Sequence, residues 1–236
     1  MTLSLALLWT LIISAFTILG AYYARKSGAP NALIAFYTTF VVFANIAASK
    51  TIAFDFGFTT LFAPGAVLIF SVTFLLTDIV NERFGKKETQ RMILIALFAQ
   101  IAVVLFSALI VRARPAPFFT GQGAFETILG SVPRLVFASL IAFYVSENID
   151  AHLFQWFRKL TGGKHLWMRN AFSSLPAMLV DSALFVTIAF AGALPVLPLI
   201  LGLSAVKWLV GIVDIPFMYL ARHIIGPAVG TAENKV

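Results

Sequence analysis

Apolar runs of about 20 residues, the length a helix rising about 1.5 Å per residue needs to cross a bilayer's hydrocarbon, recur along this chain. They lie near residues 3–24, 32–53, 61–80, 92–111, 126–150, 171–193 and 196–220 of a sequence 236 residues long. Repeated seven times, the pattern predicts an all-α, polytopic transmembrane helix bundle with about seven spans. Composition agrees, with 60% hydrophobic and only 11% charged residues, against roughly 25% charged in ordinary soluble domains. Such a chain cannot cover itself with polar side chains, so the lipid bilayer is its solvent. The fifth run is the least regular: Pro133 and Arg134 stand near its start, Glu147 and Asp150 near its end. The partly amphipathic stretch 146–170 is expected to extend that helix.

The formal charge of +7, from 17 Lys and Arg against 10 Asp and Glu, fits membrane orientation better than nucleic-acid binding, because basic residues mark the cytoplasmic loops. With the amino terminus outside, the inner segments carry twelve of them: Arg25, Lys26, Arg83, Lys86, Lys87, Arg91, Arg158, Lys159, Lys164, Arg169, Arg222 and Lys235. The outer loops carry Arg112 and Arg114. An odd number of spans then puts the carboxyl terminus in the cytoplasm, beside Arg222 and Lys235. The first run has no basic leader before it, and Arg25 and Lys26 follow it, so it is expected to remain as a helix rather than be cleaved as a signal peptide. Residues 1–225 read as a single transmembrane domain and 226–236 as a disordered cytoplasmic tail. The chain has no cysteine, which excludes disulfides, thiolate metal sites and cysteine nucleophiles.

An ionisable side chain inside a span costs about 2.5–3.5 kcal/mol on insertion scales, so each asks for a partner, water or a function. Asp181 and Lys207 fall near the middle of consecutive spans joined by a short loop, where an ion pair could form. It would serve either to lock helix packing or as a substrate or coupling site. Residues three, four or seven apart share a helix face. By that spacing Thr38, Asn45 and Ser49 form one stripe, as do Ser71, Phe74, Asp78 and Asn81 or Glu82. Asn170, Ser174, Asp181 and Phe185 form a third, and Ser204, Lys207, Gly211 and Asp214 a fourth. If the four stripes converge they line a cavity; for any single Ser, Thr or Asn the simpler role is interhelical hydrogen bonding.

The stretch TDIVNERFGKKETQRM, residues 77–92, places Asp78, Asn81 and Glu82 at the cytoplasmic end of the third span, with Gly85 turning the chain. Lys86, Lys87 and Arg91 are accounted for by topology alone. Asp78 lies a turn deeper than Glu82, where Arg169 or Asn170 could partner it, in a gate or structural latch or in direct contact with substrate.

Across TDIVNERFGKKETQR (77–91), PRLVFASLIAFYVSENIDAHLFQWFRKLTGGKHLWMRNAFSS (133–174) and VDSALFVTIAF (180–190), with Asn45, Lys50, Lys207 and Pro216, the chain resembles the queuosine precursor transporter family, also classed among vitamin uptake transporters. The likeness covers nearly everything from about residue 40 to 220. It leaves the first span as an additional helix relative to six-span members. It implies import of a 7-deazaguanine, 7-cyano-7-deazaguanine (preQ0) or 7-aminomethyl-7-deazaguanine (preQ1), across the cytoplasmic membrane of a prokaryote. A flat purine-like base is held by aromatic stacking and a few placed polar groups. Asp181 is the candidate carboxylate for its ring N–H and exocyclic amine, Asn45 a second reader, and Phe185 and Phe74 stacking faces. Lys207 would neutralise Asp181 while the site is empty. Arg134 falls on a motif position and either snorkels outward or pairs deep within the bundle. Asp78, Asn81, Glu82, Arg169, Asn170 and Asp214 are assigned to gating or structure, and Trp167 to interfacial anchoring.

The rival of another class is the substrate-binding membrane subunit of an ATP-energised vitamin importer. The chain itself has no GxxxxGK[ST] phosphate cradle. An intramembrane enzyme has less support: no second Asp accompanies Asp78 or Asp181, His152, His165 and His223 all fall near inner ends, and neither HExxH nor a nucleophile elbow occurs. No catalytic residue, metal or cofactor is expected. The expected partners are a purine-like small molecule and the lipid bilayer, with a homodimer compatible with so small a chain.

Overall fold

The computed structural model describes residues 3–160 and 166–225; the expected tail at 226–236 lies outside them. Helix α1 (Leu3–Ser27) is followed by α2 (Asn31–Ala47) and a hairpin of strands β1 (Thr51–Asp55) and β2 (Thr60–Pro64). Then come α3 (Val67–Phe84), α4 (Lys86–Arg112), the short α5 (Gln122–Leu129), α6 (Val132–Leu160), α7 (Leu166–Phe190) and α8 (Val196–Ile225). Three stretches, Leu7–Ser27, Lys86–Arg112 and Gln122–Asp150, are long and apolar enough to cross a membrane, and α2, α7 and α8 contribute shorter apolar helices. The architecture is that of a membrane helical bundle.

The hairpin corrects the all-helical expectation. Apolar runs 32–53 and 61–80 predict continuous spans, but α2 ends at Ala47 and α3 begins only at Val67. Between them Thr51, Ile52 and Phe54 favour an extended backbone, and the strands pair antiparallel from Thr51↔Pro64 to Asp55↔Thr60. The Asp55 carboxylate accepts the Gly57 N–H at 2.9 Å and closes the tip. A short apolar run does not distinguish strand from helix by periodicity; β-branched and aromatic enrichment beside a Gly-containing turn does.

The fifth run is also divided. Gln122 opens α5 by donating to Val111 O (3.1 Å) and Glu126 Oε1 (2.8 Å), tying the short helix back to the end of α4. Pro133 sits in the first turn of α6, where its missing N–H costs nothing. From there α6 continues beyond Asp150 to Leu160, as the amphipathic stretch suggested. At the other end of the bundle Gly85 alone separates α3 from α4, with φ at +84°, a conformation that suits glycine.

The polarity of the helices is inverted relative to a water-soluble protein. Helix α4 exposes Leu94, Phe98, Ile101, Leu105, Phe106 and Leu109 while burying Met92, Ala96, Gln100 and Ser107. An outer face that apolar needs lipid against it. Inside, two apolar clusters form. The first joins α1, α2, α3 and the start of α4 through residues such as Ile13, Leu33, Ile69, Leu76 and Met92. The second joins the hairpin to α3, α6, α7 and α8 through Phe54, Ala63, Val67, Leu135, Val186 and Leu199. Helices α6 and α7 approach over small residues, Ala138, Ala142, Ala177 and Ser182, all buried.

Strand β2 lies directly on α8. A Cβ added at Gly202 would fall 2.0 Å from the Phe62 carbonyl oxygen and 2.8 Å from the Phe62 backbone nitrogen. Backbone meets backbone there, with no flexible side chain to move aside. Gly202→Ala is therefore expected to destabilise the protein by the about 1–3 kcal/mol typical of overpacking. Thermal unfolding in detergent, with limited proteolysis at the hairpin, checks this; an unchanged melting curve and cleavage pattern would contradict the close approach.

Candidate functional site

Between the two apolar clusters lies a cavity of about 410 Å³, within the about 300–1,000 Å³ range of small-molecule sites. Six helices wall it. Tyr37, Val41 and Asn45 come from α2, Thr73 and Thr77 from α3, and Ala96 and Gln100 from α4. Ser139 and Phe143 come from α6, Asp181 and Phe185 from α7, and Leu203 and Lys207 from α8. Pro64, at the end of β2, completes the wall. Among the described residues α1 and α5 contribute nothing to it.

One wall carries charge. Lys207 Nζ donates to Asp181 Oδ2, pairing α8 with α7, and both side chains are about nine-tenths buried. The Ser146 hydroxyl, 3.1 Å from Phe143 O, has Asp181 Oδ1 as a second, longer acceptor at 3.5 Å, so α6 also reaches the carboxylate. A buried carboxylate or ammonium alone would be strongly unfavourable; together they leave the cavity with no net charge from this pair. The surrounding wall is largely aliphatic and aromatic, which preserves the strength of the few polar contacts.

A second polar element sits on α2 and α4. Asn45 Nδ2 donates to Val41 O at 3.1 Å and to Gln100 Oε1 at 3.0 Å. Val41 O can only accept, so it fixes the nitrogen of Asn45 towards it, and the oxygen of Gln100 follows. Both side chains belong to residues more than nine-tenths buried, Asn45 at 6% and Gln100 at 7% exposure.

Of the residues singled out from the sequence, Asp181, Lys207, Asn45 and Phe185 are brought together on this cavity. Arg134 is not among them. Its Nε donates to Ile188 O at 2.7 Å and an Nη donates to Ala191 O at 2.9 Å, at the end of α7. A cation there satisfies carbonyls that the helix leaves without N–H partners and complements the negative end of the dipole. The Arg134 and Ser146 links run in opposite chain directions along α7, so α6 and α7 are antiparallel. Asn81 is exposed at the end of α3, where its carbonyl accepts the Gly85 N–H. The side chains of Phe74, Asp78, Glu82, Arg169, Asn170 and Asp214 lie outside the described ones.

Among the described residues, α3 lines the cavity with Val67, Thr73 and Thr77, and on α8 Leu203 accompanies Lys207 while Ser204 is buried beside the wall without lining it. Gln100, Ser139, Phe143 and Ser146 were missed. Gln100 carried a readable signal, as the one amide in the apolar run 92–111.

A family model described as "Putative vitamin uptake transporter" matches residues 64–221. The "Probable queuosine precursor transporter" of Bacillus subtilis (strain 168) is 28% identical to this chain over 188 residues, which cover 78% of the chain and 80% of that protein. No solved structure matches it.

Two outcomes follow from the geometry. Lys207→Met leaves Asp181 without its cation and is expected to lower stability by about 2–3 kcal/mol, less than the about 3–5 kcal/mol of a fully enclosed pair because the cavity admits water. Adding Asp181→Asn to it should recover part of that loss in a double-mutant cycle; simple additivity would deny the coupling. Arg134→Ala should lower the melting temperature by a few degrees yet leave substrate affinity unchanged, and a selective loss of affinity would place Arg134 in the binding machinery instead.

Proposed function

The chain belongs to the vitamin uptake transporter family, and from that premise we propose that it imports a queuosine precursor, a 7-deazaguanine carrying a 7-cyano or 7-aminomethyl group. A multi-pass membrane transporter, not an enzyme, is what the family and the Bacillus subtilis relative describe. The finer reading is supported by the cavity. Its flat aromatic faces, Tyr37, Phe143 and Phe185, suit a planar bicycle, and its two polar elements suit the edges of that bicycle.

In this reading Asp181 accepts two roughly parallel hydrogen bonds, from the ring N1–H and the exocyclic amine. Charge-assisted bonds of this kind are about twice as strong as neutral ones. Lys207 pairs with the carboxylate until the base arrives, so an empty site carries no uncompensated charge. Asn45 reads a second edge, and Phe185 stacks. The reading also places seven crossings, α1 to α4 and α6 to α8, in the cytoplasmic membrane of a prokaryote. Twelve basic residues lie on the inner segments, the amino terminus outside and the carboxyl terminus within. The chain acts alone in this scheme, since a subunit of an ATP-energised importer is favoured neither by the family description nor by the relative's name.

The observation that carries the proposal is the neutralised Asp181–Lys207 pair facing a cavity sized for a base. Cells unable to make or import 7-deazaguanines, given this gene alone, should accumulate labelled 7-aminomethyl- or 7-cyano-7-deazaguanine, with guanine competing more weakly. Asp181→Asn should abolish uptake while the protein still inserts at normal level. Near-normal uptake by that variant would remove Asp181 from the site, and no uptake by the unaltered chain would sink the importer itself.

A further inference from the structure

The carboxamides of Asn45 and Gln100 do not close into a ring of two hydrogen bonds. Both Nδ2 hydrogens of Asn45 are taken, one by Val41 O and one by Gln100 Oε1. Among the described residues this leaves Asn45 Oδ1 and the two hydrogens of Gln100 Nε2 with no protein partner. Both residues line the cavity and both are more than nine-tenths buried. Unlike the fully buried, unpaired Ser204 Oγ and Thr38 Oγ1, Asn45 Oδ1 and Gln100 Nε2 keep accessible surface, so a ligand or water in the cavity can complete them. The orientation is not arbitrary, because Val41 O dictates which end of each amide points where.

We infer that the Asn45–Gln100 pair is a second recognition element that reads a ring nitrogen acceptor beside a ring N–H in the transported base. The inference rests on the importer reading above and adds Gln100 to it. In a 7-deazaguanine held by its N1–H and 2-amino edge at Asp181, the remaining edge with that pattern is N3 next to N9–H. Gln100 Nε2 donates to N3, and N9–H donates to Asn45 Oδ1. The two elements stand on separate walls, α7 with α8 and α2 with α4, as two different edges of one ring require. Only a free base has N9–H. A nucleoside, substituted there, loses one bond and leaves Asn45 Oδ1 buried and unpaired, so the pair selects free bases over nucleosides.

Binding of 7-aminomethyl-7-deazaguanine to the purified chain in lipid nanodiscs tests this against two analogues, one with CH in place of N3 and one methylated at N9. One lost bond to a buried partner corresponds to about a tenfold loss or more, so each analogue should bind the unaltered protein at least about tenfold more weakly. Gln100→Met, which keeps the volume and removes both the Nε2 donor and the Oε1 that accepts from Asn45, should bind the parent base at least about tenfold more weakly and no longer distinguish it from the N3 analogue. If Gln100→Met fails to fold, equal affinity of the unaltered protein for the parent base and the N3 analogue still overturns the inference. Unchanged discrimination in Gln100→Met overturns it as well while leaving the importer intact. No binding of the parent base by folded, unaltered protein overturns both.

Discussion

A helix bundle whose outward surface is apolar can keep polar side chains only by turning them inward and completing their bonds there. This constraint organises the whole molecule. On α4, Gln100 faces the interior while Phe98, Leu105 and Phe106 face out, because an unpaired amide in hydrocarbon would lose several kcal/mol. The same rule draws Asp181 and Lys207 together and turns Arg134 onto the open carbonyls at the end of α7. Water-soluble proteins turn their polar side chains outward; this chain turns those within its helices inward, beside its buried apolar clusters. A central hollow lined by its few hydrophilic groups is the packing consequence.

Why the hollow stays open is a matter of what packs beside it. The two apolar clusters grip different sets of helices, one centred on α1, α2 and α3 and the other on α7, α8 and the hairpin. Helix α3 belongs to both, and the cavity falls along the seam where they meet. The hairpin acts as a wedge in that seam. Its β2 strand is seated on Gly202 of α8 and ends at Pro64 in the cavity wall, so the position of α8 and the shape of the cavity are linked through a backbone contact. Helix α1 packs on α2, α3 and α8 without reaching the cavity, which is the place of a brace around a binding bundle rather than a part of it.

Much of this was legible in the residues, and the failures have physical causes. The apolar runs located the long helices, since hydrocarbon length dictates span length. Mid-span Asp181 and Lys207, on consecutive helices, pointed to each other because isolated charge there is untenable. The hairpin was invisible to the same reasoning: the apolar residues of Thr51–Asp55 and Thr60–Pro64 run on from the neighbouring helices, and only β-branched and aromatic content with the Asp55–Gly57 turn marks them. On α3, Thr73 and Thr77 line the cavity without having been singled out, and the side chains of Ser71, Phe74 and Asp78 lie outside the described ones. Helical periodicity identifies residues that share a face and leaves open which face turns inward. Arg134 illustrates the limit differently, since the carbonyls it serves lie 54 and 57 residues away in the chain, a distance no local pattern encodes.

The two polar elements of the cavity differ in kind, and that difference bears on how a transporter can release what it holds. An ion pair is complete in itself: Lys207 donates to Asp181, and each buried charge answers the other. The carboxamide pair has no such internal replacement, because the Asn45 donors are already committed to Val41 and Gln100. Its open groups are completed by ligand or by water alone. One element is therefore satisfied within the protein, and the other is left open by the protein alone. Strong binding at both would trap a substrate that has to be let go on the far side. The self-neutralising element stands on α7 and α8 and the open one on α2 and α4, so under the proposed importer reading the holding and the releasing of a base fall to different helix pairs.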